Sequence, residues 1–265
     1  MGRIITVCNQ KGGVGKTTST LNLAASLAHK KAKVLCVDLD PQANLSSGLG
    51  FLRNTITQSV YHVLLAQASF SQVLKKTEVL GLDLIPSQPD LSAVDVELFE
   101  EPNKEHRLKQ LLTDFLSQHT YDYVFIDCPP SLGFLTINAL VCAHAVLIPL
   151  QCEYYALEGL SQLVNTVELI RGALNQTLEL EGILLTMFDA RNNLSRQVVA
   201  DVRQHFKQRV FKTIIPRNVR LSESPSFGKP AILYDPSSKG SQSYIDLAQE
   251  IIAKHRILKK QATKI

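Results

Sequence analysis

The residues best suited to chemistry lie in three short clusters, each following a run of apolar residues. The first is Lys11-Gly12-Gly13-Val14-Gly15-Lys16-Thr17-Thr18, placed between Ile4–Cys8 and a helical pattern. A glycine-rich loop feeding a helix amino terminus presents unpaired backbone N–H groups, and the helix dipole adds partial positive charge. Glycine lets the backbone curl around an anion without a Cβ in the way. Such a loop is a phosphate cradle, in which Lys16 can bridge β- and γ-phosphates and Thr17 can set its hydroxyl on Mg²⁺. The spacing departs from GxxxxGK[ST] at its start: position 10 is Gln10, and a second lysine, Lys11, sits at the loop mouth.

The other two clusters are acidic. Val37-Asp38-Leu39-Asp40-Pro41-Gln42 places two carboxylates at the same parity, so in extended chain both face one side. Val124-Phe125-Ile126-Asp127-Cys128-Pro129-Pro130 is an apolar strand ending in a carboxylate, which can hold a Mg²⁺-bound water because Mg²⁺ keeps much of its water shell. Asp38 is expected to help organise that shell, also through water.

The elements that must position these clusters alternate in kind. Strands are expected at Ile4–Cys8, Val34–Val37, Leu82–Ile85, Tyr123–Ile126, Ala145–Pro149, Gly182–Met187 and Val210–Ile215. Helical periodicity fills 16–30, 104–119, 131–142, 157–172, 194–207 and 241–257. Continuous Val/Ile/Leu strands alternating with helices imply an α/β fold, a mostly parallel twisted sheet with helices on both faces. No linker or repeat divides the chain, so residues 1–265 are expected to form one domain, with a looser insertion around 50–105. Ligands of such sheets bind beyond the carboxyl ends of the strands, where 9–18, 38–42, 127–131 and 216–224 fall.

Composition narrows the class. With 45% hydrophobic and 20% charged residues the chain is an ordinary globular one, neither disordered nor collagen-like. Its longest weakly polar run, Asn138–Leu150, is shorter than the roughly 20 residues a membrane span needs. The amino terminus holds no cleavable apolar stretch, so a cytoplasmic location is expected. Five scattered cysteines without CxxC spacing read as reduced, buried thiols, and the seven histidines show no metal-binding pairing. The net charge of +4 hides an uneven distribution: residues 191–229 hold nine Lys and Arg against two acids, and 254–265 hold five basic residues and no acid. Spread cations without interleaved aromatic residues suit sequence-independent contact with duplex phosphates.

The glycine-rich cluster resembles the deviant Walker A motif, KGGxGK[ST][ST], of the ParA/MinD family of P-loop ATPases. The DCPPS at 127–131 is closer to the ParA branch, and PSLGFLTINAL (130–140), QCEYYALEGL (151–160), TMFDARNNLS (186–195) and IPRNVRLSESPSFGKP (215–230) are similar to ParA/Soj chromosome-partition ATPases. The resemblance spans nearly the whole chain and is weakest at 52–80 and after 256. It implies an ATPase using ATP and Mg²⁺, with residues 11–18 around the phosphates and Lys11 reaching the partner's nucleotide across a homodimer. A cation supplied in trans is worth about 10³–10⁵ in rate in related NTPases. A lysine bonded to nothing local would suit that task. The resemblance also makes Asp40 the residue that positions the attacking water, and sets Pro216 and Asn218 around the adenine. It gives Arg191 and Arg220 to non-specific double-stranded DNA, and implies a ParB-like partner that speeds an otherwise slow hydrolysis.

Three other readings stay open. A MinD-like positioning ATPase would need a carboxy-terminal amphipathic membrane helix, but after Ile252 the tail offers only Ile257, Leu258 and Ile265 as bulky apolar residues, so a frayed basic end or an extra DNA contact is expected and no membrane contact. A biosynthetic P-loop enzyme would need a metabolite pocket at the end of the second strand. A non-catalytic nucleotide-gated module would not depend on Asp40. The first strand begins by Arg3, which leaves no room for a preceding helix-turn-helix, so operator-specific repression is not expected.

Overall fold

The computed structural model describes residues 2–153 and 156–262, the side chains of residues 259–262 excepted. In chain order the elements are β1 (Arg3–Val7), α1 (Lys16–His29), β2 (Val34–Asp38), α2 (Asn44–Gly48), α3 (Val60–Leu64), α4 (Phe70–Val73), β3 (Lys75–Lys76), β4 (Leu82–Ile85), α5 (Val94–Glu97) and α6 (Arg107–Gln118). There follow β5 (Tyr123–Asp127), α7 (Phe134–Cys142), β6 (Ala145–Gln151), α8 (Ala156–Ala173), β7 (Glu179–Thr186), α9 (Asn193–Phe206), α10 (Val219–Glu223), α11 (Ala231–Tyr234) and α12 (Lys239–Ala262). The strands form one sheet in the order β3-β4-β2-β5-β1-β6-β7, parallel throughout except for the short antiparallel β3 at the edge.

Alternate residues of each strand feed opposite faces, as strand geometry requires. Ile4, Leu35, Val37, Val124 and Ile126 pack with Leu112 and Phe115 of α6, Val141 of α7 and Leu163 of α8. Ile5, Val34, Cys36 and Phe125 pack with Leu23 and Leu27 of α1 and with Tyr244, Leu247 and Ile251 of α12. Both faces are therefore dry, which explains why the strands read as unbroken apolar runs. All five cysteines are free and buried, as expected.

Three expectations need correction. The 50–105 segment is not loose: Val60, Val63, Leu64, Phe70 and Val73 are buried in the first apolar cluster, and β4 pairs directly with β2. Its helices are too short for periodicity to reveal; Ser59 and Ser69 start α3 and α4 through capping boxes with His62 and Gln72.

Val210–Ile215 is not a regular strand. It touches the sheet through isolated bridges, Ile183–Val210 and Phe188–Pro216. Between them Glu250 of α12 accepts the backbone N–H groups of both Lys212 (2.8 Å) and Thr213 (3.0 Å), and successive donors turned to one acceptor break the alternation a ladder needs. The Phe211 ring lies over Gly182, where an added Cβ would come within 2.6 Å of it.

The tail is helical to Ala262 rather than frayed from 257, and the last three residues of the expected basic end lie outside the described residues. Part of its charge is structural: Lys254 and His255 both engage the buried Glu181 of β7. Among the described residues no helix is long and apolar enough to cross a membrane.

Candidate functional site

The three chemical clusters follow β1, β2 and β5, which are neighbours, so the sheet order sets them side by side at the carboxyl ends. Val7 pairs in register with Asp127, and Asp127 with Asp38. The glycine-rich loop is built in advance. Gly13 and Gly15 adopt φ of 75° and 90°, left-handed conformations that favour glycine, and Gly15 starts α1. Thr186 Oγ1 donates to the Val14 carbonyl (2.8 Å), Asn9 Nδ2 donates to the Pro149 carbonyl (2.7 Å), and the Lys11 N–H donates to Asn9 Oδ1 (3.0 Å). The neighbouring β6 and β7 thus hold the loop's curvature from outside it.

Inside the loop, Lys16 is buried and its Nζ donates to the Lys11 carbonyl at 3.0 Å, which folds the ammonium back over the cradle. Burial lowers its pKa, against the pull of Asp127 and Asp40. Thr17 Oγ1 donates to Asp127 Oδ2 (2.7 Å), and Thr20 Oγ1, one helical turn on, donates to Asp127 Oδ1 (2.9 Å). Burial pushes the Asp127 carboxyl up to about 8, with Asp38 adding to the rise and the two hydroxyls opposing it. An all-oxygen pair of Thr17 and Asp127, in a pocket where buried carboxylates crowd one another, fits a hard divalent cation such as Mg²⁺.

The second acidic cluster divides its work. Asp38 is fully buried; its Oδ1 accepts from the Asp40 N–H (3.2 Å), and its Oδ2 accepts from the Ser46 N–H (2.9 Å) and hydroxyl (2.7 Å). Burial raises it to about 6. Both Asp38 oxygens are thus engaged by the loop they follow, and Ser46 Oγ in turn accepts the Ser87 N–H (3.0 Å). Asp40 lies past the end of β2, 7% exposed, with Oδ1 accepting the Gln42 N–H (2.9 Å).

Lys11 is not bonded to nothing: its ammonium forms an ion pair with Glu153, just beyond β6. The contact spans 142 positions and nothing in the local sequence announces it. The adjoining Tyr154 and Tyr155 of QCEYYALEGL lie outside the described residues. Thr20 and Ser46 were likewise missed by sequence reasoning. Thr20 carries a usable signal, since it stands three positions after Thr17 on one helix face; Ser46 carries none.

At the expected base site, Pro216 bridges Phe188, and the Arg217 N–H donates to the Phe188 carbonyl at 2.9 Å. Asn218 Oδ1 caps α10 by accepting the Arg220 N–H (3.0 Å). The two arginines assigned to DNA are each paired with acids of the same chain: Arg191 with Asp189, and Arg220 with Glu223 and Asp235.

A glycine-rich loop between the first strand and first helix, a hydrogen-bonded Thr–Asp pair behind it and a parallel sheet beneath are the architecture of a P-loop nucleotide hydrolase. Residues 2–180 match the AAA domain family. The chain is 55% identical to the chromosome partitioning protein ParA of Myxococcus xanthus, over 95% of this chain and 88% of that one. It is 54% identical to the sporulation initiation inhibitor protein Soj of Bacillus subtilis, over 96% and 99%. Among solved structures, cobyrinic acid a,c-diamide synthase from Mycobacterium smegmatis with bound ATP analogue and magnesium superposes with a TM-score of 0.84 at 36% identity, over 94% of this chain and 93% of that one. The chain belongs to the AAA domain family of P-loop ATPases, in its ParA/Soj chromosome-partitioning branch.

Proposed function

We propose that this ATPase is a nucleotide-gated DNA-partitioning switch. ATP and Mg²⁺ are held by residues 11–18, with Lys16 on the phosphates, Thr17 on the cation and Asp127 behind it through water; the bound cation would neutralise charge building on the phosphoryl group. Asp40 orients the attacking water, and Asp38 acts through it, by anchoring the loop on which Asp40 rides. Pro216 and Asn218 face the base. Lys11 leaves Glu153 to reach the nucleotide of a second copy, which makes the triphosphate the link of a homodimer. The paired subunits present Arg191 and Arg220 to duplex DNA without sequence preference, over the nucleoid. A ParB-like partner resets the switch by speeding hydrolysis, and γ-phosphate binding energy becomes a population shift between single and paired chains.

The observation that carries this reading is the convergence of Lys16, Thr17, Asp127 and Asp40 on one preformed loop, in a chain about half identical to partitioning proteins along nearly its full length. DNA binding measured with ATP, with ADP and without nucleotide, across a salt series, tests it. Two arginines per subunit give four phosphate contacts in a dimer and a slope of log affinity against log salt of about −3.6. A flat salt response, or binding indifferent to nucleotide, would overturn it. A biosynthetic reading draws on the likeness to the diamide synthase, and predicts fast turnover only with a metabolite present. Liposome flotation beside DNA co-sedimentation separates out a MinD-like role.

A further inference from the structure

The basic stretch at 191–229 is not uniformly available. Among the described residues its ion pairs form at Arg191, Arg220 and Lys229, so both arginines of the DNA reading carry a counter-ion from their own chain. Arg191 is held in a two-bond fork: Nε donates to Asp189 Oδ1 and Nη2 to Asp189 Oδ2, each at 3.0 Å. The guanidinium side chain is 89% exposed, so this fork is what orders it. Arg191 in return pulls the Asp189 carboxyl down to about 2, chiefly through that hydrogen bond. Arg220 donates from Nη1 to Glu223 Oε2 (2.9 Å) and lies 3.2 Å from Asp235 Oδ2 through Nε, with the Tyr234 ring 6.0 Å away. The segments bearing both pairs are tied to one loop: Phe188, beside Asp189, bridges Pro216, and Asn218 caps the helix that carries Arg220 and Glu223.

A guanidinium fork matches carboxylate and phosphate alike, and one fork edge cannot hold both at once. We propose that Asp189 and Glu223, the latter with Asp235, are built-in competitors for DNA phosphate that occupy the guanidinium edges of Arg191 and Arg220 and so set the DNA affinity of the dimer. This rests on the DNA-binding reading given above. The competition is mild by construction, because both pairs are exposed and screened by salt. DNA can displace the acids, yet each displacement lowers affinity, which keeps the complex reversible.

The test uses the full chain with a non-hydrolysable ATP analogue and Mg²⁺, binding random-sequence duplex DNA at low and near-physiological salt. Asp189→Asn and Glu223→Gln keep an acceptor oxygen and remove the charge; Asn at 189 can still receive the Arg191 N–H that shapes the turn (3.0 Å). Each is expected to tighten DNA binding about two- to fivefold at low salt, the worth of an exposed ion pair, with a smaller gain at higher salt. ATP-dependent pairing, followed by sedimentation, is expected to be unchanged. Asp114→Asn on α6 adds the same unit of net charge elsewhere and is expected to give no comparable gain. Unchanged or weaker binding by both acid variants, while Arg191→Ala and Arg220→Ala lose affinity, overturns the competition and leaves the DNA reading standing. An equal gain from Asp114→Asn overturns it also. Wild-type binding by the two arginine variants removes the DNA reading and this inference together.

Discussion

Asp40 and Asp127 lie at the ends of neighbouring strands, and the different tasks proposed for them rest on their different surroundings. Asp127 is fully buried with both oxygens on threonine hydroxyls, a place for a carboxyl whose charge a neighbouring cation would stabilise. Asp40 lies beyond its strand with one oxygen on its own loop, a place from which a carboxylate can meet a water. Replacing Asp40 with Ala is therefore expected to lower kcat about a hundredfold or more while ATP binding persists. Single-turnover hydrolysis beside equilibrium nucleotide binding checks both halves. A parallel loss of nucleotide binding would mean that Asp40 holds the loop rather than the water.

Among the elements, two long-range contacts fasten the edge strand β7 to its surroundings. Glu181 of β7 is buried among Arg3 of β1 and Lys254 and His255 of α12. Burial pushes its carboxyl up, but His255, Lys254 and Arg3 together bring it down to about 2, from an ordinary value of 4.5. A lowered acid pKa adds stability that is fully present above about 4.5 and is lost as pH falls toward about 2. Glu181→Gln leaves the partly buried Arg3 and Lys254 without their acid. It is expected to cost about 3 kcal/mol at neutral pH and to flatten the pH dependence across that window, as read by urea unfolding at several pH values. The second contact is the seat of Phe211 on Gly182. A methyl at 182 would meet the ring at 2.6 Å, so Gly182→Ala is expected to cost about 1–3 kcal/mol, with Phe211→Leu in the same chain recovering much of it. Because 210–216 leads into the loop proposed to face the base, the single variant is also expected to weaken ATP binding, which calorimetry can follow.

For the whole molecule the proposed switch turns on pairing. Lys11 is engaged by Glu153 within one chain, so the proposed passage to a second chain would exchange one anion for another. With a non-hydrolysable analogue and Mg²⁺ the sedimentation coefficient is expected to rise to that of a dimer, and Lys11→Ala to remain a single chain while still binding nucleotide. The same ligand is expected to raise the melting temperature, since saturation at a hundred times Kd adds about 2.7 kcal/mol. Stabilisation without a change in mass would separate nucleotide binding from assembly and remove the switch.

The α/β class, six of the strands and the glycine-rich loop are legible in the chain alone, because these rest on local chemistry: unbroken apolar runs, helical periodicity, and glycines where the backbone must turn left-handed. The acids at strand ends are legible there too. What the tertiary structure alone decided is which distant groups meet those residues. The partnerships of Lys11 with Glu153, Thr20 with Asp127 and Glu181 with His255 depend on strand order and helix packing, and a pairing across many positions leaves no periodic trace. The same holds for Val210–Ile215, whose composition is that of a strand but whose Lys212 and Thr213 N–H groups are drawn off by Glu250 of a helix that arrives later in the chain. Local pattern sets what a segment can become; the partners that the fold brings to its hydrogen bonds and charges settle what it does.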